Sequence, residues 1–141
     1  MTSIGARKFI HQITRTLTSM SGFDNNVSKL RIVSAAEGKC TAELTIDEDH
    51  QNRMGGLHGG LIATLVDVVA AKAVMSTGKA TKGVVTNLRI SYARRARVGE
   101  DIVIIADTDK VGKNISFCRV TISQKDTGKL VATGSHTAYI G

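Results

Sequence analysis

The sequence predicts an α+β domain in which an antiparallel sheet of about six strands wraps around one long buried helix, with an additional N-terminal helix. Three observations carry this. The run from Gly59 to Met75, GGLIATLVDVVAAKAVM, is almost wholly apolar and reads as a buried helix. Six other segments are rich in Val, Ile and Thr, several alternate apolar with polar residues, and turn signals separate most of them. Finally, 141 residues with no linker-like stretch fit one domain, residues 1–141, large enough for a real core. Aromatic residues are only 4% and proline is absent, so that core is built mainly from Ile, Val, Leu and Ala.

Residues 1–22 form the first element. Phe9, Ile10, Ile13, Leu17 and Met20 recur at helical spacing, with Arg7, Lys8, His11 and Arg15 mostly elsewhere on the wheel. The segment is basic, rich in Ser and Thr and free of acids until Asp24, the composition of a mitochondrial transit peptide. A helix packed on the domain is the preferred reading. Leu30–Ala35 and Lys39–Ile46 follow as a hairpin turning at Glu37-Gly38. Beyond the apolar helix, Val84–Tyr92 alternates Thr86, Leu88, Ile90 and Tyr92 on one face with Val85, Asn87, Arg89 and Ser91 on the other. Ile102–Asp109, Asn114–Ser123 and Lys129–Ile140 complete the strands, and the short turns between them make antiparallel neighbours.

Within the apolar helix stands one acid, Asp67. A carboxylate there is costly unless paired, protonated or working. Just upstream, Leu57-His58-Gly59-Gly60 feeds the helix start, where unpaired backbone N–H groups face an anion or a polarised carbonyl oxygen. A candidate base or nucleophile and a candidate oxyanion site therefore share one segment, which points to acyl chemistry.

Cys40 and Cys118 lie in strand-like runs without a C-x-x-C spacing and are read as reduced core residues, in a reducing compartment. His11, His50, His58 and His136 show no metal-ligand spacing. The apolar helix, interrupted by Asp67 and Lys72, is too short for a membrane span of roughly 20 apolar residues. A net charge of +7 points to anionic partners. Nucleic acid is one, but two Tyr, three Phe and no Trp leave few stacking platforms, and none is expected.

The stretch Asn52–Asp67 (NRMGGLHGGLIATLVD), Gly99–Ile104 (GEDIVI) and Thr127–Leu130 (TGKL), in that order and in this layout, resemble the hotdog fold and its acyl-CoA thioesterase branch, of the thioesterase superfamily member 2 type. The resemblance extends over nearly the whole chain. It implies hydrolysis of medium- to long-chain fatty acyl-CoA to free acid and coenzyme A, with no cofactor and no metal. It implies Asp67 as base or nucleophile, the Gly59 N–H as oxyanion donor, and Asn52 and His58 as orienting groups. It further implies a substrate border made of Val85, Thr86 and Asn87 at the start of the third strand. The nucleotide border would comprise Tyr92, Arg94, Arg95 and Arg97, then Lys110, Gly112, Lys113 and Asn114 at a hairpin tip, and Tyr139. The chain departs from the family in two places. Val85 stands where a Ser or Thr near the attacking water is expected, and Tyr92–Arg97 lacks a proline.

Spacing adds a constraint independent of family. Gly59 and Asp67 are eight residues apart on one helix, roughly 12 Å of rise and about 80° of net rotation. They cannot flank one carbonyl from the same chain, so a two-fold dimer with shared sites is expected. A dimer of dimers is implied by the resemblance. The location expected is cytoplasmic, with the mitochondrion as the alternative raised by the basic N-terminal helix. Competing activities are a dehydratase of the same fold, a silent acyl-CoA-binding relative and a nucleic-acid module.

Overall fold

The computed structural model describes residues 3–141; of the expected N-terminal helix, residues 1 and 2 lie outside that range. Helix α1, Ser3–Thr18, is followed by a 3-10 turn at Gly22–Val27. The helix stops short of the expected residue 22 because Ser19, Ser21 and Gly22 break it, Gly22 taking a positive φ of 65°. Ile13 and Leu17 are buried, and α1 packs on the first strand.

Strands β1 (Arg31–Ala36), β2 (Lys39–Thr45), β3 (Val84–Tyr92), β4 (Asp101–Val111), β5 (Ile115–Gln124) and β6 (Leu130–Tyr139) form one antiparallel sheet of order β1-β2-β4-β5-β6-β3. The β1–β2 turn is at Glu37 and Gly38, whose φ values of 53° and 85° fit a hairpin turn with two left-handed residues. Sequence neighbours β3 and β4 are not spatial neighbours. The link 93–100 carries the chain back across the sheet, anchored by Leu57 N–H to Ala96 O at 2.8 Å and Gly99 N–H to Ile46 O at 2.8 Å. This leaves β3 at one edge, paired only with β6.

Helix α2, Gly59–Met75, lies across the concave face and touches every strand. Leu65, Val66, Val69 and Ala70 are fully buried against Leu44, Ile102, Ile104, Val120, Ile122 and Val131. Removing each large aliphatic side chain from water contributes about 1.5–3 kcal/mol. Contact is closest at β6: a Cβ on Gly134 would lie 2.7 Å from Val66 Cγ1. Only a residue without a side chain lets the helix sit this near the strand.

The helix is not covered all round. Ala63, Thr64, Asp67, Val68, Ala71, Lys72 and Met75 stay half-exposed, at spacings of three and four that make one stripe along α2. None of the nine β3 residues is buried either. Among the described residues no helix is long and apolar enough to cross a membrane.

Candidate active site

Asp67 projects from the half-covered stripe of α2, and its carboxylate is 43% exposed rather than enclosed. Its partner is not Lys72, a poor neighbour at i+5. His136, brought by β6, places Nε2 2.8 Å from Asp67 Oδ1. The imidazole is 2% exposed and inward-facing, opposite Cys118 of β5 and Leu88 of β3. His136 was passed over in the sequence because nothing local marks it. The available signal was its place in the alternation of β6, where it is a polar residue on the inward row Ala132, Gly134, His136, Ala138. Gly134, two residues away on that row, sets the close helix approach that makes the pair possible.

Asp67 and His136 line a small cavity of about 30 Å³ together with Val85, Ser116, Ala138 and Lys82, among others. Strict alternation put Val85 on the face away from Leu88, and the structure corrects this. A bulge between Val85 and Asn87 shifts the register, so Val85 pairs with Ala138, lines the cavity and shares a face with Leu88, the residue opposite His136. One extra residue reverses the faces of everything before it. Thr86 is that extra residue, and its hydroxyl donates to Thr137 O at 3.2 Å. Asn87 lies opposite Thr137 and does not line the cavity.

The other expected groups gather elsewhere, around an open cleft of about 380 Å³ at the N-terminus of α2, bordered by Asn52, Gly59, Tyr92, Arg94 and Arg95 among others. Asn52 Oδ1 accepts from the N–H groups of Met54 (2.9 Å) and Gly56 (3.2 Å), which folds the loop that precedes the helix. His58 is the N-cap residue, its Nδ1 accepting from Gly60 N–H at 2.9 Å. The Tyr92 hydroxyl donates to Gly59 O at 2.9 Å and ties β3 to the helix start. Gly59 N–H belongs to the first turn, whose amides have no intrahelical acceptor.

Arg94, Arg95 and Arg97 are exposed after β3, Arg97 bridging to Gly56. Lys110 is the penultimate residue of β4, paired with Phe117, and Gly112, Lys113 and Asn114 form the β4–β5 turn, where Gly112 N–H donates to Ile115 O and Ile140 N–H to Asn114 O, each at 2.8 Å. Tyr139 lies between Ile115 and Val84, at the opposite end of β3 from Tyr92. The expected nucleotide border is therefore split within one chain by the length of β3, ~30 Å for nine strand residues.

Both cysteines are inert in this setting. Burial pushes the Cys40 thiol up to about 12 and the Cys118 thiol up to about 11, leaving almost no thiolate near neutrality. Burial also holds the Lys72 ammonium below its usual range. Among the described residues no group of three or more His, Cys, Asp or Glu is arranged to hold a metal.

A carboxylate–imidazole pair in a small cavity, and a capped helix N-terminus aimed at an open cleft, are the parts of a hydrolytic site, on a sheet wrapped round one helix. Comparison with known proteins agrees. A family model described as the thioesterase superfamily matches residues 54–131. Acyl-coenzyme A thioesterase 13 of Homo sapiens and that of Mus musculus are each 40% identical over 132 residues, covering 94% of this chain and 94% of theirs. The crystal structure of zebrafish thioesterase superfamily member 2 superposes with a TM-score of 0.88 at 42% identity, covering 92% of this chain and 94% of that one. The chain belongs to the thioesterase superfamily and has its hotdog fold. By class it is a thioester hydrolase.

Proposed function

We propose that the protein hydrolyses medium- to long-chain fatty acyl-CoA to free acid and coenzyme A at sites shared between the two subunits of a dimer. One observation carries this: the acid and the oxyanion donor sit on the same helix but open into separate cavities, Asp67 beside His136 and Gly59 beside Tyr92. Each cavity lacks what the other holds.

Two-fold pairing of β3 edges supplies the missing half. β3 is an unpaired edge with every residue accessible, the kind of strand that recruits another. Antiparallel pairing centred near Leu88 sets the Tyr92 end of one strand against the Val85 end of the other. Gly59 then approaches the Asp67 of the partner subunit. The same pairing closes the split nucleotide border, because Arg94, Arg95 and Arg97 of one subunit meet the Lys110–Asn114 turn of the other. Guanidinium and ammonium groups suit the phosphates of coenzyme A. The uncovered stripe of α2 is buried in the same step. Val84, Ile115, Phe117 and Tyr139 form a further exposed apolar group, which suits a second interface joining two dimers.

In this arrangement the first-turn N–H of Gly59 holds the thioester oxygen as it becomes negative. His136 holds Oδ1 of Asp67, and the carboxylate takes a proton from the attacking water. Collapse of the tetrahedral state expels the coenzyme A thiolate, which takes the proton Asp67 had accepted and leaves as thiol, while the acyl group leaves as acid and the carboxylate is restored.

Thiol release measured across acyl-CoAs from short to long chain, with wild type and Asp67→Asn side by side, tests the reading. Turnover on the longer chains that falls about 10²–10⁴-fold in Asp67→Asn is expected for loss of a general base. A folded wild type that releases thiol from none of them would overturn it.

A further inference from the structure

The row of β5 side chains facing α2 runs Ser116, Cys118, Val120, Ile122, and all four are buried. Ser116 alone carries a hydroxyl there and is 0% exposed. Its Oγ has no hydrogen-bond partner among the described residues, and neither does His136 Nδ1, the ring nitrogen not engaged by Asp67. A buried hydroxyl and a buried ring nitrogen left unmatched each cost free energy. Both belong to the wall of one cavity.

Register places them as neighbours. Ser116 lies opposite Ala138, and Cys118 lies opposite His136. Ser116 and His136 are thus a diagonal pair on the same face, at a separation of roughly 7–8 Å between backbones and less between side chains. The cavity of about 30 Å³ exceeds the ~10–15 Å³ that one water needs. On the far side of Ala138, the β3 position in the same cross-strand row is Val85, which offers no hydrogen bond. The β5 hydroxyl is the polar group this row provides.

We propose that Ser116 is a positioning residue for the Asp67–His136 pair, its hydroxyl joined to His136 Nδ1 through one water held in the cavity. In the tautomer whose Nε2–H donates to Asp67, Nδ1 carries a lone pair and accepts. A donor delivered from Ser116 fixes that tautomer and the ring orientation. Nε2 is then held on Asp67 Oδ1, and the carboxylate is held toward the reacting carbon. The proposal rests on the thioesterase reading, but its test does not depend wholly on it.

The test compares full-length wild type with Ser116→Ala and Ser116→Thr. Two readouts are needed: thiol release from an acyl-CoA that the wild type turns over, and the ¹⁵N resonances of the His136 ring, assigned with His136→Gln. In Ser116→Ala, kcat is expected to fall roughly tenfold, the equivalent of one hydrogen bond, with KM within about twofold. The Nδ1 resonance should move. Ser116→Thr, which keeps the hydroxyl, should restore both, and so should Val85→Ser added to Ser116→Ala, which returns a hydroxyl to the same cavity. An Nδ1 resonance that stays put in Ser116→Ala overturns the proposal, whether or not thiol is released. So does Ser116→Ala melting above wild type with unchanged kcat, because a hydroxyl without a partner is better removed. A wild type without turnover refutes the thioesterase reading instead and leaves the ¹⁵N arm to decide this one.

Discussion

The first turn of α2 and the middle of the same helix are built from different materials. At the first turn the chemistry is backbone: an Asx turn at Asn52, a cap from His58 and a tyrosine hydroxyl on Gly59 O shape a loop whose exposed amides face an open cleft. At the middle the chemistry is side chain: a carboxylate and a buried imidazole meet over a cavity about a tenth as large. Backbone donors are aimed mainly by local turns, so the first site is assembled within residues 52–60, held by Tyr92 and Ala96 and bordered by Arg94 and Arg95. The acid site needs a strand 69 residues away. Each half is complete in its own terms, and in the proposed dimer the open β3 edge is the feature that would let two copies combine them.

Driving the halves apart should have the largest effect. Val68 sits on the uncovered stripe of α2, and Val68→Arg is expected to give a folded monomer by light scattering and circular dichroism. Its thiol release should fall by more than about 10³-fold, since acid and oxyanion donor are lost from each other together. A fully active monomer would show that one chain suffices.

Recombining the halves should have an intermediate effect. Subunits carrying Asp67→Ala and subunits carrying His58→Ala are each expected to be defective. After subunit exchange, mixed dimers hold one intact site, so activity should recover to about a quarter of wild type for a statistical mixture. Recovery absent despite proven exchange would place both residues in one chain's site.

A smaller change should touch the acid half alone. Gly134→Ala puts a methyl where Val66 Cγ1 already lies 2.7 Å away, and overpacking of this kind costs about 1–3 kcal/mol. The melting temperature should drop and the Asp67–His136 contact lengthen, lowering kcat several-fold while KM holds. An unchanged melting temperature would mean that α2 can move off β6 without cost.

The elements were legible because their signals are local. The apolar run with a His-Gly-Gly start marks α2 from Gly59 to Met75, as found, and strand-like composition, alternation in several runs and turn signals located all six strands to within a few residues. Glu37-Gly38 marked its hairpin by turn chemistry. Asp67 stood out by contrast with its neighbours, and its distance from Gly59 followed from helix geometry. Where the reading failed, the cause was a single residue or a non-local partner. The bulge at Thr86 turned Val85 toward the cavity, against the alternation, because a bulge has no composition of its own in Val-Val-Thr-Asn. The place of β3 beside β6 rather than β4 goes with the link 93–100, which is anchored on Leu57 and Ile46.

The sequence by itself therefore determined the helix, the strands, the lone acid and the donor-rich turn that feeds it, since each depends on periodicity, capping and side-chain chemistry within a few residues. Only the tertiary structure decided that His136 answers Asp67, that Ser116 and Val85 share its cavity, and that Gly134 brings helix and sheet close enough for this. Those are outcomes of strand order and register, and they arise from packing across the whole chain, where a shift of one residue exchanges the face a side chain occupies.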